Sequence, residues 1–456
     1  MRLIRLRGIS ARADMKTLHP MTRETAMLTL LSGDRHRNCE GATRRDFLRL
    51  GSLGAGAIAL PQLLQAKDDA TASGRAIKNK SVIWVWLAGG ATHVETFDPK
   101  MTAPVEYRST TGEVQTPVAG MTFGGTFPQM AKQGDKLSVV RSFAHGNSSH
   151  GTGTQWIMTG YKPVGREQHK PSIGSIVAKL GGTFSPETGM PTYMRMGNIR
   201  GDGAAFLGPQ YAPFSPSGQA AKNMNVTLPT ERVGDRRELL GQLDRIDRGI
   251  DRAGTLRGID GYEEQAFNLM LGQAKEAFGT KGEDPKTIKR YGNRIGKNLL
   301  SARRLCEAGA SFVTVSSGGW DMHSNVARSM KSRGAEIDQG VSALIEDLHD
   351  RRMQDDVLVV VTGEFGRTPR VNKRAGRDHW GNLCTLALSG GGLNMGQVVG
   401  NSSPKAEVPD TTPVRPHDLM ATIFDLFGIP LRQQIVNFQG RPVYLLENGQ
   451  PIKELV

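Results

Sequence analysis

From Val82 to Ala88 every side chain is apolar, and the run SVIWVWLA combines β-branched and aromatic residues before it closes on Gly89 and Gly90. So short a stretch without polar alternation predicts a strand buried on both faces, since a half-exposed strand would alternate and a buried helix would run longer. Similar runs recur as KLSVVRSF (136–143), ASFVTVSSGG (310–319), DDVLVVVTGE (355–364) and LCTLALSGGG (383–392), each leading into small or polar residues. Helical patterns fall between them, at 172–180, 235–253, 261–279, 286–308, 326–352 and 416–427. Strands parted by helices predict βαβ units and hence an α/β fold, a three-layer α/β/α sandwich with a mostly parallel central sheet. That domain spans 81–446, with the Gly- and Pro-rich region 183–230 as an elaborated loop or small cap and 447–456 as a C-terminal tail. In such sheets ligands bind beyond the carboxyl ends of the strands, which directs attention to the polar residues after each apolar run.

The chain has 456 residues, with 58 Lys and Arg against 44 Asp and Glu, a formal net charge of +14. Residues 1–66 hold 11 of the basic and 5 of the acidic side chains, leaving 47 against 39 beyond them. That remainder is dispersed, without a Lys/Arg run interleaved with aromatics and without a helix-turn-helix or RNA-binding signature, so nucleic acid is not an expected partner. The cysteines are Cys39, Cys306 and Cys384, with no C-x-x-C spacing. Cys306 and Cys384 therefore read as small core residues rather than as a disulfide framework or a thiolate zinc site.

Near the N-terminus, TRRDFLRLGSLGAGAIALPQLLQA places Arg44 and Arg45 before Phe47 and Leu48 and then an apolar run rich in Gly and Ala, from Leu50 to Leu64. Basic, then apolar, then small is the order of a secretory signal, and the arginine pair predicts export by the twin-arginine translocase to the periplasm or beyond. The apolar run, about 15 residues, is shorter than the roughly 20 that span a bilayer, so cleavage near Ala66 is expected rather than a stable membrane span. Residues 1–66 are thus an N-terminal extension and signal peptide, 67–80 a linker, and Met27 is a more natural start than Met1.

Five clusters follow the apolar runs. GGATHVETFDPK offers Thr92, His93, Glu95 and Asp98, as metal ligands or as helix caps. HGNSSHGTGTQWIMTG offers His145, Asn147, Ser148, Ser149, His150, Thr152 and Thr154, an array suited to an oxyanion pocket or to a capped Ser/Gly loop. In WDMHSN, Asp321 and His323 are two apart, which in extended chain puts both on one side, able to grip one ion or to brace a loop. EFGRTPR carries Glu364 and Arg367, the first able to bind metal or move a proton, the second to neutralise an anionic oxygen, unless the two pair with each other. In GRDHWGN, Asp378 and His379 are adjacent and point apart, fitting two neighbouring ions, or a ligand and its supporting partner. His417 and Asp418, at the start of RPHDLMATIFDLFGIP, read as capping groups.

The motifs TRRDFLRL, LAGGATHVETFDPK, HGTGTQWIMTG, GGWDMHSN, TGEFGRTPRV, GRDHWGN and HDLMATIFDLFGIP, spread from residue 44 to 430, resemble domain-of-unknown-function family 1501, exported bacterial proteins grouped with the alkaline phosphatases and sulfatases. The resemblance implies an alkaline-phosphatase-like sandwich with up to two divalent metals, zinc, manganese or calcium, and a hydroxyl-type nucleophile acting on phosphate or sulfate esters, including those of sulfated or phosphorylated glycans. It further implies metal-binding roles for Asp321, His323, Glu364, Asp378 and His379, with Arg367 on the anion and a catalytic segment around His150 and Thr152 that supplies a hydroxyl or positions water. His150 sits ten residues before Gly160, where a sulfatase carries its nucleophile. The chain departs from that pattern in having Gly89 and Gly90 where sulfatases carry paired Asp, and in lacking the Cys-x-Pro-x-Arg-like motif. These departures favour an alternative, a non-catalytic envelope scaffold that binds a glycan or a protein.

Overall fold

The computed structural model of the chain describes residues 77–164, 170–216, 276–437 and 439–456. The expected signal segment, most of the linker, the 235–253 helix and most of the 261–279 helix lie outside the described residues.

Seven strands build the central sheet: β1 (Ser81–Ala88), β2 (Ser138–Val140), β3 (Tyr193–Met196), β4 (Phe312–Gly318), β5 (Val357–Thr362), β6 (Leu386–Gly390) and β7 (Gln397–Val399). Their order is β7-β2-β6-β5-β1-β4-β3, and only β6 runs against the rest. The sheet is mostly parallel, as the interrupted apolar runs predict. β1 lies at its heart, with Val82 beside Phe312 on one flank and Leu358 on the other.

Alternation along β1 feeds two separate cores. Ile83, Val85 and Leu87 join one cluster, and Val82, Trp84 and Trp86 the other. The first is covered by α4 (Ile295–Glu307) and α5 (Val326–Asp350), the second by α1 (His150–Thr159), α2 (Ile173–Gly181) and α6 (Pro416–Phe427). Helices on both faces of one sheet make the three-layer α/β/α sandwich. The pattern over 286–308 is two helices rather than one: α3 (Pro285–Tyr291) ends at Gly292, with φ of 77°, and α4 begins after Arg294, with φ of 48°, so the chain turns through left-handed backbone that a continuous helix excludes.

Two further differences concern the margins. The region 183–230 is more than a loop or cap, because β3 lies within it and forms the sheet edge beside β4. Residues 447–456 are docked rather than trailing: Ile452 and Leu455 are buried, and the Asn394 N–H donates to the Leu455 carbonyl at 2.8 Å. Cys306 and Cys384 are buried free thiols, which burial pushes up to about 12, too high for a nucleophile at neutral pH. No helix among the described residues is long and apolar enough to cross a membrane.

Two buried histidines make the fold sensitive to acid. His93 lies against the Ala406 carbonyl through Nε2 (3.0 Å) while its Nδ1 has no partner, and His145 Nε2 lies 2.7 Å from the Glu364 carbonyl while its Nδ1 accepts the Asn147 N–H (3.0 Å). Neither ring has an acceptor for a second proton. Burial is the largest effect on each and pushes both down to about 4 from 6.5. A depressed folded value means that the stability is complete above the unfolded value and is lost as pH falls through the folded one. Between those limits the pair contributes a slope of about 2.7 kcal/mol per pH unit. Melting temperature measured in chelator-containing buffer is expected to fall steadily from about pH 6.5 to 4, and His93→Gln to halve that slope. A flat profile would refute the neutral assignment.

Candidate metal centre

The carboxyl ends of β1, β4 and β5, three adjacent strands, deliver Gly89 and Gly90, Asp321 and His323, and Glu364 and Arg367 to one place. A two-residue ribbon, Gly366–Arg367 against His379–Trp380, adds Asp378 and His379, and α1 adds His150. Gly89 and Gly90 turn through positive φ (117° and 78°). A methyl group on Gly89 would lie 2.4 Å from the Asp321 backbone nitrogen, and one on Gly90 2.4 Å from the Phe365 ring. Carboxylates at these two positions are therefore sterically barred, which is the physical content of the departure from the sulfatase pattern.

His150, Asp321 and His379 each offer a ligand atom, and the three atoms lie within 4.8 Å of one another. His379 Nε2 is 3.0 Å and His323 Nε2 2.9 Å from Asp321 Oδ1, and His150 Nε2 is 3.5 Å from Asp321 Oδ2. The two imidazole nitrogens of His323 and His379 are themselves 3.1 Å apart. On the far side of each ring Nδ1 meets an oxygen: Glu364 Oε1 for His150 (2.7 Å), Asp378 Oδ1 for His323 (2.6 Å) and the Ser148 carbonyl for His379 (3.0 Å). Those oxygens take the Nδ1 protons, so three Nε2 lone pairs converge on a carboxylate, an arrangement that a cation stabilises and that is repulsive without one.

Electrostatics follow the same pattern. The Glu364 hydrogen bond raises His150 above the usual imidazole value, whereas burial lowers His379. Desolvation alone would raise Asp321, but its cationic surroundings, the Arg367 hydrogen bond first among them, outweigh it and hold the carboxyl down at about 2, anionic at any working pH. The hydrogen bond with His323 keeps Asp378 low. Phe365 closes one side, its ring 4.6 Å from His379 and 5.0 Å from His150.

The residues expected from the sequence are thus partitioned. Asp321 and His379 sit in the convergent group with His150, and His323 adjoins them. Glu364 and Asp378 stand behind His150 and His323, although Glu364 Oε2 is buried without a partner. Arg367, expected on an anionic oxygen, is fully buried and already engaged: Nε donates to the Gly90 carbonyl (2.9 Å), Nη1 to the Arg377 carbonyl (3.2 Å), and Nη2 to the Gly89 carbonyl and to Asp321 (2.5 Å). It is a brace. Thr152 donates to Asn147 Oδ1 (3.1 Å) and does not reach the convergent group. His93, Glu95 and Asp98 lie apart from it, Glu95 pairing with Arg377 at 3.0 Å and accepting from Ser109 and Thr110. His417 and Asp418 start α6, where Asp418 accepts the Arg415 N–H (2.8 Å) as a cap.

The model of the family described as Protein of unknown function (DUF1501) matches residues 79–456. The chain belongs to that family. No curated protein matches this DUF1501 member. Solved structures similar to it include the PsFucS1 sulfatase from Pseudoalteromonas sp. (13% identity, 80% of this chain and 72% of that one, TM-score 0.37) and the TAB5 alkaline phosphatase (11%, 78% and 99%, 0.35). A phosphonate monoester hydrolase from Silicibacter pomeroyi is also similar (12%, 82% and 76%, 0.32).

Proposed function

We propose that this DUF1501 protein is an exported, metal-dependent hydrolase of phosphate or sulfate esters. The observation that carries the reading is the convergence of the His150, His323 and His379 Nε2 atoms on Asp321, with an acceptor behind every ring. His150, Asp321 and His379 would hold a divalent cation, with His323 beside them. A set dominated by imidazole suits zinc or manganese better than calcium, which prefers oxygen. When bound, such an ion supplies Lewis acidity toward an anionic ester.

The chain's own residues do the rest. Glu364 and Asp378 fix the tautomers of His150 and His323, Arg367 holds the Asp321 carboxylate in place, and Phe365 shields one side from water. Within the segment 148–154, Ser148 Oγ accepts the Gly381 N–H (2.9 Å), Thr152 bonds Asn147 and Thr154 bonds the His150 carbonyl (2.6 Å). Ser149, the N-cap residue of α1, is exposed, makes no side-chain capping bond and directly precedes His150 in the chain. We take it as the hydroxyl that attacks an ester, since its side chain is not spent on the cap of the helix that carries His150. The substrate class that goes with this reading is an anionic ester such as a phosphorylated or sulfated glycan, and Arg44 and Arg45 support delivery by the twin-arginine translocase to the periplasm or beyond.

The test is hydrolysis of nitrophenyl phosphate and nitrophenyl sulfate by the zinc- or manganese-loaded protein. Ser149→Ala is expected to lower the rate roughly a hundred-fold, while Thr152→Val changes it by less than about three-fold. Folded, metal-loaded protein that cleaves neither ester would sink the hydrolase reading and leave the binding scaffold, which the glycines at 89 and 90 favour.

A further inference from the structure

Resting on the hydrolase reading, we infer that Arg200 is the specificity residue that grips the oxyanion of the phosphate or sulfate ester. Two other arginines close to the site, Arg367 at Asp321 and Arg377 beside Asp378, cannot do so. Arg367 is fully buried with its donors engaged, and Arg377 is fully buried on Glu95 and on the carbonyls of Thr368, Pro369 and Arg108.

Arg200 differs on each count. It is exposed, and among the described residues no hydrogen bond or ion pair holds its guanidinium. Its side chain lies across α1 at Gly151, the residue after His150. A methyl group at Gly151 would stand 3.0 Å from Arg200 Nη1 and 3.7 Å from its Cδ. The backbone on its C-terminal side is anchored. Gly201 packs one turn along α1, where a methyl group would come within 3.1 Å of Gln155 Cγ. The Asp202 carboxylate takes a hydrogen bond from Arg195 (3.1 Å), and its carbonyl takes one from Ser172 (2.9 Å). The anchored backbone keeps Arg200 beside α1 with its planar fork of donors unclaimed and able to take a tetrahedral oxyanion in bidentate fashion, and glycine at 151 lets the fork lie close to the helix.

The experiment is calorimetric titration of the full chain with inorganic phosphate, with zinc loaded and again after chelation, on wild type, Arg200→Gln and Gly151→Ala. Arg200→Gln is expected to weaken phosphate binding about 10- to 100-fold with zinc content unchanged. Gly151→Ala shifts the movable guanidinium by only a few tenths of an ångström and is expected to change binding by less than about three-fold, while its melting temperature holds or rises because alanine favours the helix. That pairing separates anion contact from a merely structural role. Equal phosphate affinity in wild type and Arg200→Gln overturns the assignment, as does a wild type that binds no phosphate in either state. Phosphate binding that depends on Arg200 in a protein that takes up no zinc overturns the hydrolase reading and keeps the anion site.

Discussion

Asp321→Ala, purified beside the wild type and loaded with zinc or manganese, is expected to retain less than about a tenth of the wild-type metal and to lose ester hydrolysis by about a thousand-fold, the loss of roughly 4 kcal/mol of transition-state stabilisation. Asp321 is the carboxylate on which the Nε2 atoms of His150, His323 and His379 converge. Its removal leaves three imidazoles and the Arg367 guanidinium around the same space without the carboxylate that offsets the guanidinium charge, which disfavours a dication. The variant also takes from the buried Arg367 its hydrogen-bonded carboxylate, so the melting temperature in chelator is expected to fall as well, and metal content is compared at a temperature where both proteins are folded. Mass-spectrometric metal content that is the same in both proteins would remove the proposed centre.

The second large effect lies outside the centre. Glu95 and Arg377 are both fully buried and paired at 3.0 Å. Glu95→Ala strands a guanidinium in the interior, which costs about 3–5 kcal/mol and lowers the melting temperature by about 5 °C. Because Arg377 precedes Asp378 and His379, the same variant is expected to weaken metal binding by about 10- to 100-fold, the usual price of disturbing the support behind a ligand. A Glu95→Leu, Arg377→Met double variant removes both charges and is expected to recover much of the stability without the metal affinity. Recovery of neither, or of both together, would contradict this division between packing and positioning.

Strands buried on both faces were legible because burial leaves its mark on every residue, as in β1, β4 and β5. The edge strands β3 and β7 were not, since YMRM and QVV are short and half exposed and read like any loop. The site was legible as a list of polar residues beyond strand ends, and five of its members follow directly from that rule. Their division of labour was not. Which nitrogen of an imidazole faces inward depends on an oxygen supplied from far along the chain, 214 residues away for His150 and Glu364. The Glu95–Arg377 pair spans 282 residues, and neither partner carries a local sign of the other. Arg367 misled for a related reason: an arginine after a strand end is equally suited to an anion or to four backbone and side-chain acceptors, and only the closed fold decides.

The bracing of Arg367 has a consequence for how any metal is acquired. Its donors join the turn after β1, the loop after β4 and the carbonyl of Arg377, segments that have no reason to meet before the sheet has closed. Ligand geometry and tertiary closure are one event, so a dication that enters this centre is chosen by the finished fold and not by the nascent chain.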